Sequence, residues 1–274
     1  RIPNLLIIGA TQYLTAFFLV SEYPQKLNQL TSKGFFMMVV STVMIAAGGY
    51  IINDYYDQKI DMVNRPDKVV IGVLMRRRLA LLAHFVLTVG AIALGFYLNP
   101  KIGVVHIFSS FFLWYYSNQL RRITIIGNVV IAFLTGLTLL MVCIYLARNE
   151  VLVYIYASFA MAITLIREVL KDMEDVKGDS KFGIESLPVI FGIRGAKAFI
   201  YLAIGISGAF LISFLITIDI WLVRYYFVGL LPIFLWFIYK LIYADRQKDY
   251  QRLIRFTNFI ILSGLISMIL LKSW

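Results

Sequence analysis

Residues 35–52 read FFMMVVSTVMIAAGGYII, and residues 53–66, which follow without a break, read NDYYDQKIDMVNRP. The first run carries no charge and has the roughly 18 residues that a helix needs to cross a bilayer. In hydrocarbon a helix satisfies its own backbone hydrogen bonds, so a helix is the favoured structure for such a run. The second run begins with carboxylates where the apolar run ends. The stretch therefore predicts a membrane helix with an acidic row at one end.

Similar apolar runs occupy most of the chain. Of its 274 residues, 61% are hydrophobic and 15% are charged, whereas about a quarter of the residues in a soluble domain are charged. The mean hydropathy is +0.82. The composition excludes an ordinary soluble domain and predicts a single all-α integral membrane domain over residues 1–274. We place nine transmembrane helices at 5–20, 35–52, 79–98, 101–117, 124–146, 151–170, 197–218, 221–243 and 254–271.

Positive charge is spread unevenly over the connections between these nine helices. Most of the 26 lysines and arginines follow an even-numbered helix, and few follow an odd-numbered one. Lysine and arginine accumulate on the cytoplasmic side of membrane proteins. We therefore expect a multi-pass protein of the cell's inner, cytoplasmic membrane, with the N-terminus and the even-to-odd connections in the cytoplasm. Topology also explains the net charge of +11 and the run Arg76-Arg77-Arg78 better than lipid or substrate binding does, and no nucleic acid partner is expected.

Acidic residues are concentrated more strongly than topology requires, since they contribute little to orientation. They gather after the second and the sixth predicted helix, and the second gathering, residues 167–179, reads REVLKDMEDVKGD. In each stretch three aspartates are separated by three and then four residues, so they share one helix face over about 10 Å. The first row is Asp54, Asp57 and Asp61, and the second row is Asp172, Asp175 and Asp179.

Carboxylates stacked along a helix face repel each other, and their desolvation near a bilayer is costly. A neutralising cation is therefore expected, and oxygen ligands alone are typical of a hard ion such as Mg²⁺. Two facing rows would hold such ions around one polyanion, with interwoven cations in direct contact. This pattern predicts a Mg²⁺-dependent diphosphate site at the cytoplasmic mouth of a helical bundle. The candidate metal ligands are Asn53 and the six aspartates of the two rows, and the interwoven cations are Arg65, Lys68, Lys171 and Lys177.

The first acidic stretch resembles the Asn-Asp-x-x-Asp-x-x-x-Asp signature of the UbiA superfamily of intramembrane prenyltransferases, and it continues into Asn64-Arg65-Pro66 as in many members. The second row resembles that family's Asp-x-x-x-Asp motif, here Asp175 to Asp179. Between them, residues 116–121 and 127–128 resemble the family's Tyr-Ser-x-x-Leu-Lys and Gly-Asn segments. Arg121 stands where the family has lysine, which keeps the charge and changes the geometry of a diphosphate contact.

The resemblance covers the whole chain and implies nine transmembrane helices bundled around a central cavity, with a cytoplasmic cap over the active site. A prenyl diphosphate would lie in the cavity with its head on Mg²⁺ between the two motifs. Departure of pyrophosphate would leave an allylic cation, which an acceptor captures. The aspartates of both rows would be catalytic, and the expected diphosphate ligands are Asn53, Arg65, Lys68, Tyr116, Ser117, Arg121, Lys171 and Asn128.

Residues 167–179 resemble most closely the branch of the superfamily that makes digeranylgeranylglyceryl phosphate. The expected acceptor is therefore a lipid of the geranylgeranylglyceryl phosphate type. An aromatic quinone precursor stays open as the acceptor, as does internal capture of the cation by a terpene cyclase. The expected partners are the prenyl diphosphate donor, the lipophilic acceptor and the lipid bilayer, without an obligatory protein partner.

Several other interpretations compete with this one. The carboxylates could simply pair with neighbouring cations as solvated helix ends, although identical spacing in two rows speaks against it. A membrane CDP-alcohol phosphotransferase would carry an Asp-Gly opening to its signature, which the sequence lacks. A divalent-cation transporter would place its carboxylates near mid-membrane at broken helices. Asn53 either ligates metal or orients Asp57, while His84 and His106 are expected to pack or form local hydrogen bonds rather than bind metal.

Overall fold

The computed structural model describes residues 2–20, 26–64, 66–217 and 221–269, and helices make up most of them. Each long apolar run of the sequence forms a helix. Several of these helices continue past the apolar run into polar sequence. The elements are α1 (Ile2–Thr15), which continues as a π-helical turn (Ala16–Val20), α2 (Lys26–Leu30), α3 (Lys33–Asn64), α4 (Arg77–Leu98), α5 (Pro100–Asn118), α6 (Ile126–Leu146), α7 (Val151–Lys181), α8 (Leu187–Thr217), α9 (Trp221–Ile242) and α10 (Gln247–Ser267), with short 3₁₀ turns at Pro66–Lys68 and Leu120–Arg122.

Seven stretches in the described part of the chain are long and apolar enough to cross a membrane. They are Ile2–Val20, Lys33–Asn64, Arg77–Leu98, Ile126–Leu146, Val151–Lys181, Leu187–Ile216 and Arg224–Ile242. The prediction of an all-helical integral membrane protein is confirmed. Helices α5 and α10 coincide with the fourth and ninth predicted spans but do not meet the same measure of length and apolarity, so the count of nine spans stays a prediction.

Helix α3 packs along both α4 and α5, and two adjacent glycines make these contacts possible. A Cβ atom on Gly48 would lie 3.0 Å from Oγ1 of Thr88 on α4, and one on Gly49 would lie 2.8 Å from Cδ1 of Leu113 on α5. The carbonyl of Gly48 also lies 3.0 Å from Nδ1 of His84. The three helices therefore approach more closely than larger residues would permit.

The two histidines both form hydrogen bonds, and these bonds join different helices. His84 uses the Gly48 carbonyl, and Nε2 of the buried His106 lies 2.8 Å from Oγ of Ser41. Each histidine thus links its own helix to α3.

Helix α7 joins the two main apolar clusters of the protein. One cluster packs α7 against α3 and α6 and includes Phe35, Leu139 and Val153. The other packs α7 against α8, α9 and α10 and includes Leu170, Ile200, Phe237, Leu241 and Ile260. Because α7 contributes to both clusters, the second row of aspartates lies on a helix that connects the two halves of the bundle.

Candidate functional site

The polar ends of α3 and α7 touch each other. Gly178 of α7 lies against the side chain of Asn64 of α3, so closely that a Cβ atom at position 178 would overlap the Asn64 amide. Asp57, Asp175 and Asp179 are 3%, 4% and 2% exposed, and they lie on these two helices. These three carboxylates are therefore buried, which does not fit the part of the alternative interpretation that describes them as solvated.

The glycine at this contact has a testable role. Gly178→Ala should lower the melting temperature and the turnover, because overpacking a contact costs about 1–3 kcal/mol. Gly205→Ala is the matched control, since a Cβ there would meet nothing within 4 Å on α8 and alanine favours a helix by about 1 kcal/mol. Thermal unfolding in detergent compares the two variants, and an unchanged melting temperature in Gly178→Ala would contradict the close approach.

Arg121 connects the first row to the second. It lies in the 3₁₀ turn between α5 and α6 and forms an ion pair with Asp57, with 13% and 5% of the two side chains exposed. Its positive charge also acts on Asp179 and Glu168 of α7. A cation from a third segment thus pairs with the first row and acts electrostatically on the second.

Two asparagines orient one carboxylate in each row. Nδ2 of Asn53 donates to Oδ2 of Asp57 at 2.7 Å within α3. Nδ2 of Asn128, in the first turn of α6, donates to Oδ2 of Asp172 at 2.7 Å. The structure therefore supports the orienting role that the sequence left open for Asn53, and it gives Asn128 the same role in the second row.

The remaining predicted residues of α5 pack the segment that carries Arg121. Tyr116 is buried, and a Cβ atom on Gly127 would lie 3.0 Å from its Cε2. Oγ of Ser117 donates to the Leu113 carbonyl at 2.8 Å, so this hydroxyl is engaged within the helix. The close contact between the end of α5 and the start of α6 brings Arg121 and Asn128 to the same end of the bundle.

Glu168 was not predicted to belong to the site. It is 3% exposed, and its carboxylate lies 2.9 Å from Arg167 and 3.5 Å from Nζ of Lys171. The charge of Lys171 in turn acts on Asp172 and Asp179. Glu168 therefore holds two cations beside the second row, and its spacing of three residues from Lys171 was a signal in the sequence that could have identified it.

The other predicted residues divide into two groups. Asp54 and Asp61 are half-buried on α3, in the same row as Asp57. Arg65 and the side chain of Lys68 lie outside the described residues.

The donor set suits Mg²⁺ although no tight cluster is formed. Among the described residues, no three carboxylates, histidines or cysteines converge enough to hold an ion by themselves. Mg²⁺ usually takes only one or two carboxylates and fills its other positions with water and substrate phosphate. Oδ1 of Asp179 is buried without a hydrogen-bond partner in the part of the chain that is described. Such an oxygen is costly to bury alone, so a cation is a fitting partner for it.

Comparison with known proteins gives a consistent family. The sequence model of the UbiA prenyltransferase family matches residues 12–260. The digeranylgeranylglyceryl phosphate synthase of Methanothermobacter thermautotrophicus is 34% identical over 200 residues, which are 72% of this chain and 66% of that protein. The synthase of the same name from Methanosphaera stadtmanae is 36% identical over 155 residues, 56% of this chain and 57% of that protein. The matched stretch thus spans about two thirds or less of these two relatives.

Solved structures share the fold along nearly the whole chain. A UbiA homolog from Aeropyrum pernix K1 has a TM-score of 0.75 at 14% identity and covers 97% of this chain and 98% of its own. A UbiA homolog from Archaeoglobus fulgidus, bound to DMAPP and Mg²⁺, has a TM-score of 0.67 at 14% identity and covers 96% and 95%. At such identities the likeness concerns the arrangement of helices alone.

Proposed function

Since this chain belongs to the UbiA prenyltransferase family, we propose that it is a Mg²⁺-dependent intramembrane prenyltransferase. It moves a prenyl group from its diphosphate to a lipophilic acceptor. The observation that carries this proposal is the position of Arg121, paired with Asp57 on α3 and within electrostatic reach of Asp179 on α7. Two acidic rows that both contain buried carboxylates, with a cation that acts on both rows, suit a ligand that brings both negative phosphates and divalent ions.

The six aspartates of the two rows would hold Mg²⁺. When bound, the ion supplies positive charge that stabilises the departing pyrophosphate. The homolog from Archaeoglobus fulgidus, which binds DMAPP and Mg²⁺, supports this assignment. Asn53 and Asn128 keep the carboxylates of Asp57 and Asp172 in fixed orientations. These side chains therefore lose less conformational entropy when the ligand binds.

Arg121 and Lys171 would bind the diphosphate directly. Arg121 has to exchange its partner Asp57 for phosphate oxygens, to which a guanidinium can donate two parallel hydrogen bonds. Lys171 is held beside the second row by Glu168. Arg65 and Lys68 stay proposed as further contacts, and so do Tyr116 and Ser117.

The acceptor that we propose is a lipid of the geranylgeranylglyceryl phosphate type, with a geranylgeranyl diphosphate donor. The relatives from Methanothermobacter thermautotrophicus and Methanosphaera stadtmanae, both named digeranylgeranylglyceryl phosphate synthase, support this choice. We further propose nine spans around a central cavity, a cytoplasmic cap and an active site that faces the cytoplasm. The excess of lysine and arginine in the connections at the carboxylate end supports this orientation. The proposed reaction needs the bilayer and no obligatory protein partner.

Mass spectrometry of products tests this function. The unmodified protein is incubated with Mg²⁺ and geranylgeranyl diphosphate, first alone and then with a geranylgeranylglyceryl phosphate or a phenolic acceptor. The expected product is the glyceryl phosphate lipid with one additional geranylgeranyl group, together with pyrophosphate. Formation of a prenylated phenol would show that the acceptor is a phenol instead of the proposed lipid. A cyclic hydrocarbon formed from the donor alone would show that the protein catalyses cyclisation instead of transfer. Absence of pyrophosphate release from every donor tried would overturn the proposal.

Removal of the metal provides a second test. Excess EDTA should stop pyrophosphate release, because the buried carboxylates of both rows would then repel the diphosphate instead of binding it. Added Mg²⁺ should restore the rate, whereas Na⁺ at equal ionic strength should not. Persistent turnover in chelator would count against the metal assignment.

A further inference from the structure

Two short connections touch at the carboxylate end of the bundle. One connects α5 to α6 and carries Arg121, and the other connects α7 to α8. The backbone N–H of Glu185 donates to the Arg122 carbonyl at 3.2 Å. Oγ1 of Thr124 donates to the Glu185 carbonyl at 2.6 Å. The backbone of a single residue is thus held on both sides, and we call Arg122, Thr124 and Glu185 the latch.

Each side of the latch leads directly to a charged group of the site. Arg121 is the residue before Arg122. On the other side, the carbonyl of Asp179 accepts a hydrogen bond from the N–H of Ile184 at 2.9 Å, and Ile184 precedes Glu185. A short path of covalent and hydrogen bonds therefore connects the backbone that carries Arg121 to the backbone at the end of the second row.

The backbone beside the latch is strained. Ile125, directly after Thr124, has a φ of 66°, which is a conformation that β-branched residues rarely adopt. Such strain costs about 1–3 kcal/mol and persists only where the surrounding structure enforces it. The hydrogen bond between Thr124 and Glu185 holds the residue immediately before the strained one.

We propose that Thr124 is a positioning residue for the diphosphate site. It does not touch substrate, and it acts by holding the connection that carries Arg121 against the end of α7. With the latch closed, a diphosphate bound at the second row meets the guanidinium without further ordering of the loop, which improves binding rather than the chemical step. This inference rests on the proposed function.

Thr124→Val tests the latch, because valine keeps the shape of threonine and removes the hydroxyl. The KM for geranylgeranyl diphosphate should rise about fivefold, the equivalent of one hydrogen bond, with kcat nearly unchanged. Thr124→Ser restores the hydroxyl and should return the KM to its original value. Glu185→Ala is the matched control, since both hydrogen bonds of Glu185 use its backbone and neither is removed.

Hydrogen exchange and binding of inorganic pyrophosphate give readouts that need no turnover. The Glu185 amide should exchange faster in Thr124→Val than in the unmodified protein, and pyrophosphate with Mg²⁺ should bind about fivefold more weakly. If Thr124→Val does not fold, Glu185→Pro removes the N–H half of the latch instead, at a position that lies outside the helices.

An unchanged KM in Thr124→Val, or an equal defect in Thr124→Ser, would overturn the proposal. Failure of the prenyltransferase function itself would look different. The unmodified protein would then release no pyrophosphate from any prenyl diphosphate, while the exchange of the Glu185 amide would still report on the latch.

Discussion

Replacing Asp175 by Asn is expected to lower turnover of the prenyl diphosphate by about a thousandfold, because charge stabilisation by a bound metal contributes several kcal/mol to the transition state. Asp175 is 4% exposed on α7, and its charge repels that of Asp179 one turn further along the helix. Activity should be lost while the variant still folds and inserts into the membrane, so the loss of turnover should not be accompanied by unfolding. Pyrophosphate release and thermal unfolding are measured on the same preparation.

Asp245 supplies the matched control for this variant. Its side chain is 82% exposed and lies 3.2 Å from Lys197, in the connection between α9 and α10. Asp245→Asn removes the same charge outside the acidic rows, and the loss of a partly exposed ion pair of this kind usually alters stability by no more than about 1 kcal/mol. Turnover close to normal in Asp175→Asn would contradict the role of the second row. Lost turnover with a lower melting temperature would indicate a structural role instead.

The acidic rows could be predicted because their geometry is local. Spacings of three and four place side chains on one helix face whatever the rest of the chain does, and both rows do lie on helices, α3 and α7. Hydropathy located the apolar runs well because it also depends only on residues that are neighbours in the sequence. It did not locate the ends of the helices, since α3 continues to Asn64 and α7 to Lys181. Hydropathy indicates which residues cross a membrane, and a helix can continue beyond the membrane into polar surroundings.

The partners of the charged groups could not be predicted, because they depend on contacts between distant segments. Nothing near Asp57 in the sequence indicates that Arg121 will pair with it. The left-handed backbone at Ile125 also has no sequence signal, since the residue type disfavours that conformation. In contrast, the start of α10 could have been placed better, because the Asp249 carboxylate accepts a hydrogen bond from the Arg246 N–H there and aspartate is favoured in a first turn. The predicted span began only at residue 254, after most of the charges.

Arg121→Gln is expected to reduce both stability and substrate binding. Its partner Asp57 is 3% exposed, and removing one member of a buried ion pair costs about 3 kcal/mol or more. The melting temperature of the variant, measured without substrate, should therefore be lower than that of the unmodified protein. Loss of the charged contact to the diphosphate should raise the KM about a hundredfold. Arg121→Lys keeps the charge but loses the two parallel hydrogen bonds. Its KM should therefore lie between that of the unmodified protein and that of Arg121→Gln.

The double variant Asp57→Asn with Arg121→Gln separates the two effects. Two neutral amides replace the ion pair, and neither leaves a charge without its partner, so much of the lost stability should return. Turnover should not return, because the double variant lacks both a metal-binding carboxylate and the cation that contacts the diphosphate. Thermal unfolding without substrate and pyrophosphate release with Mg²⁺ are measured for the unmodified protein, the two single variants and the double variant. Recovery of turnover along with stability would mean that the pair acts only as a structural link between α3 and the connection that carries Arg121, and the diphosphate would then have to be bound elsewhere.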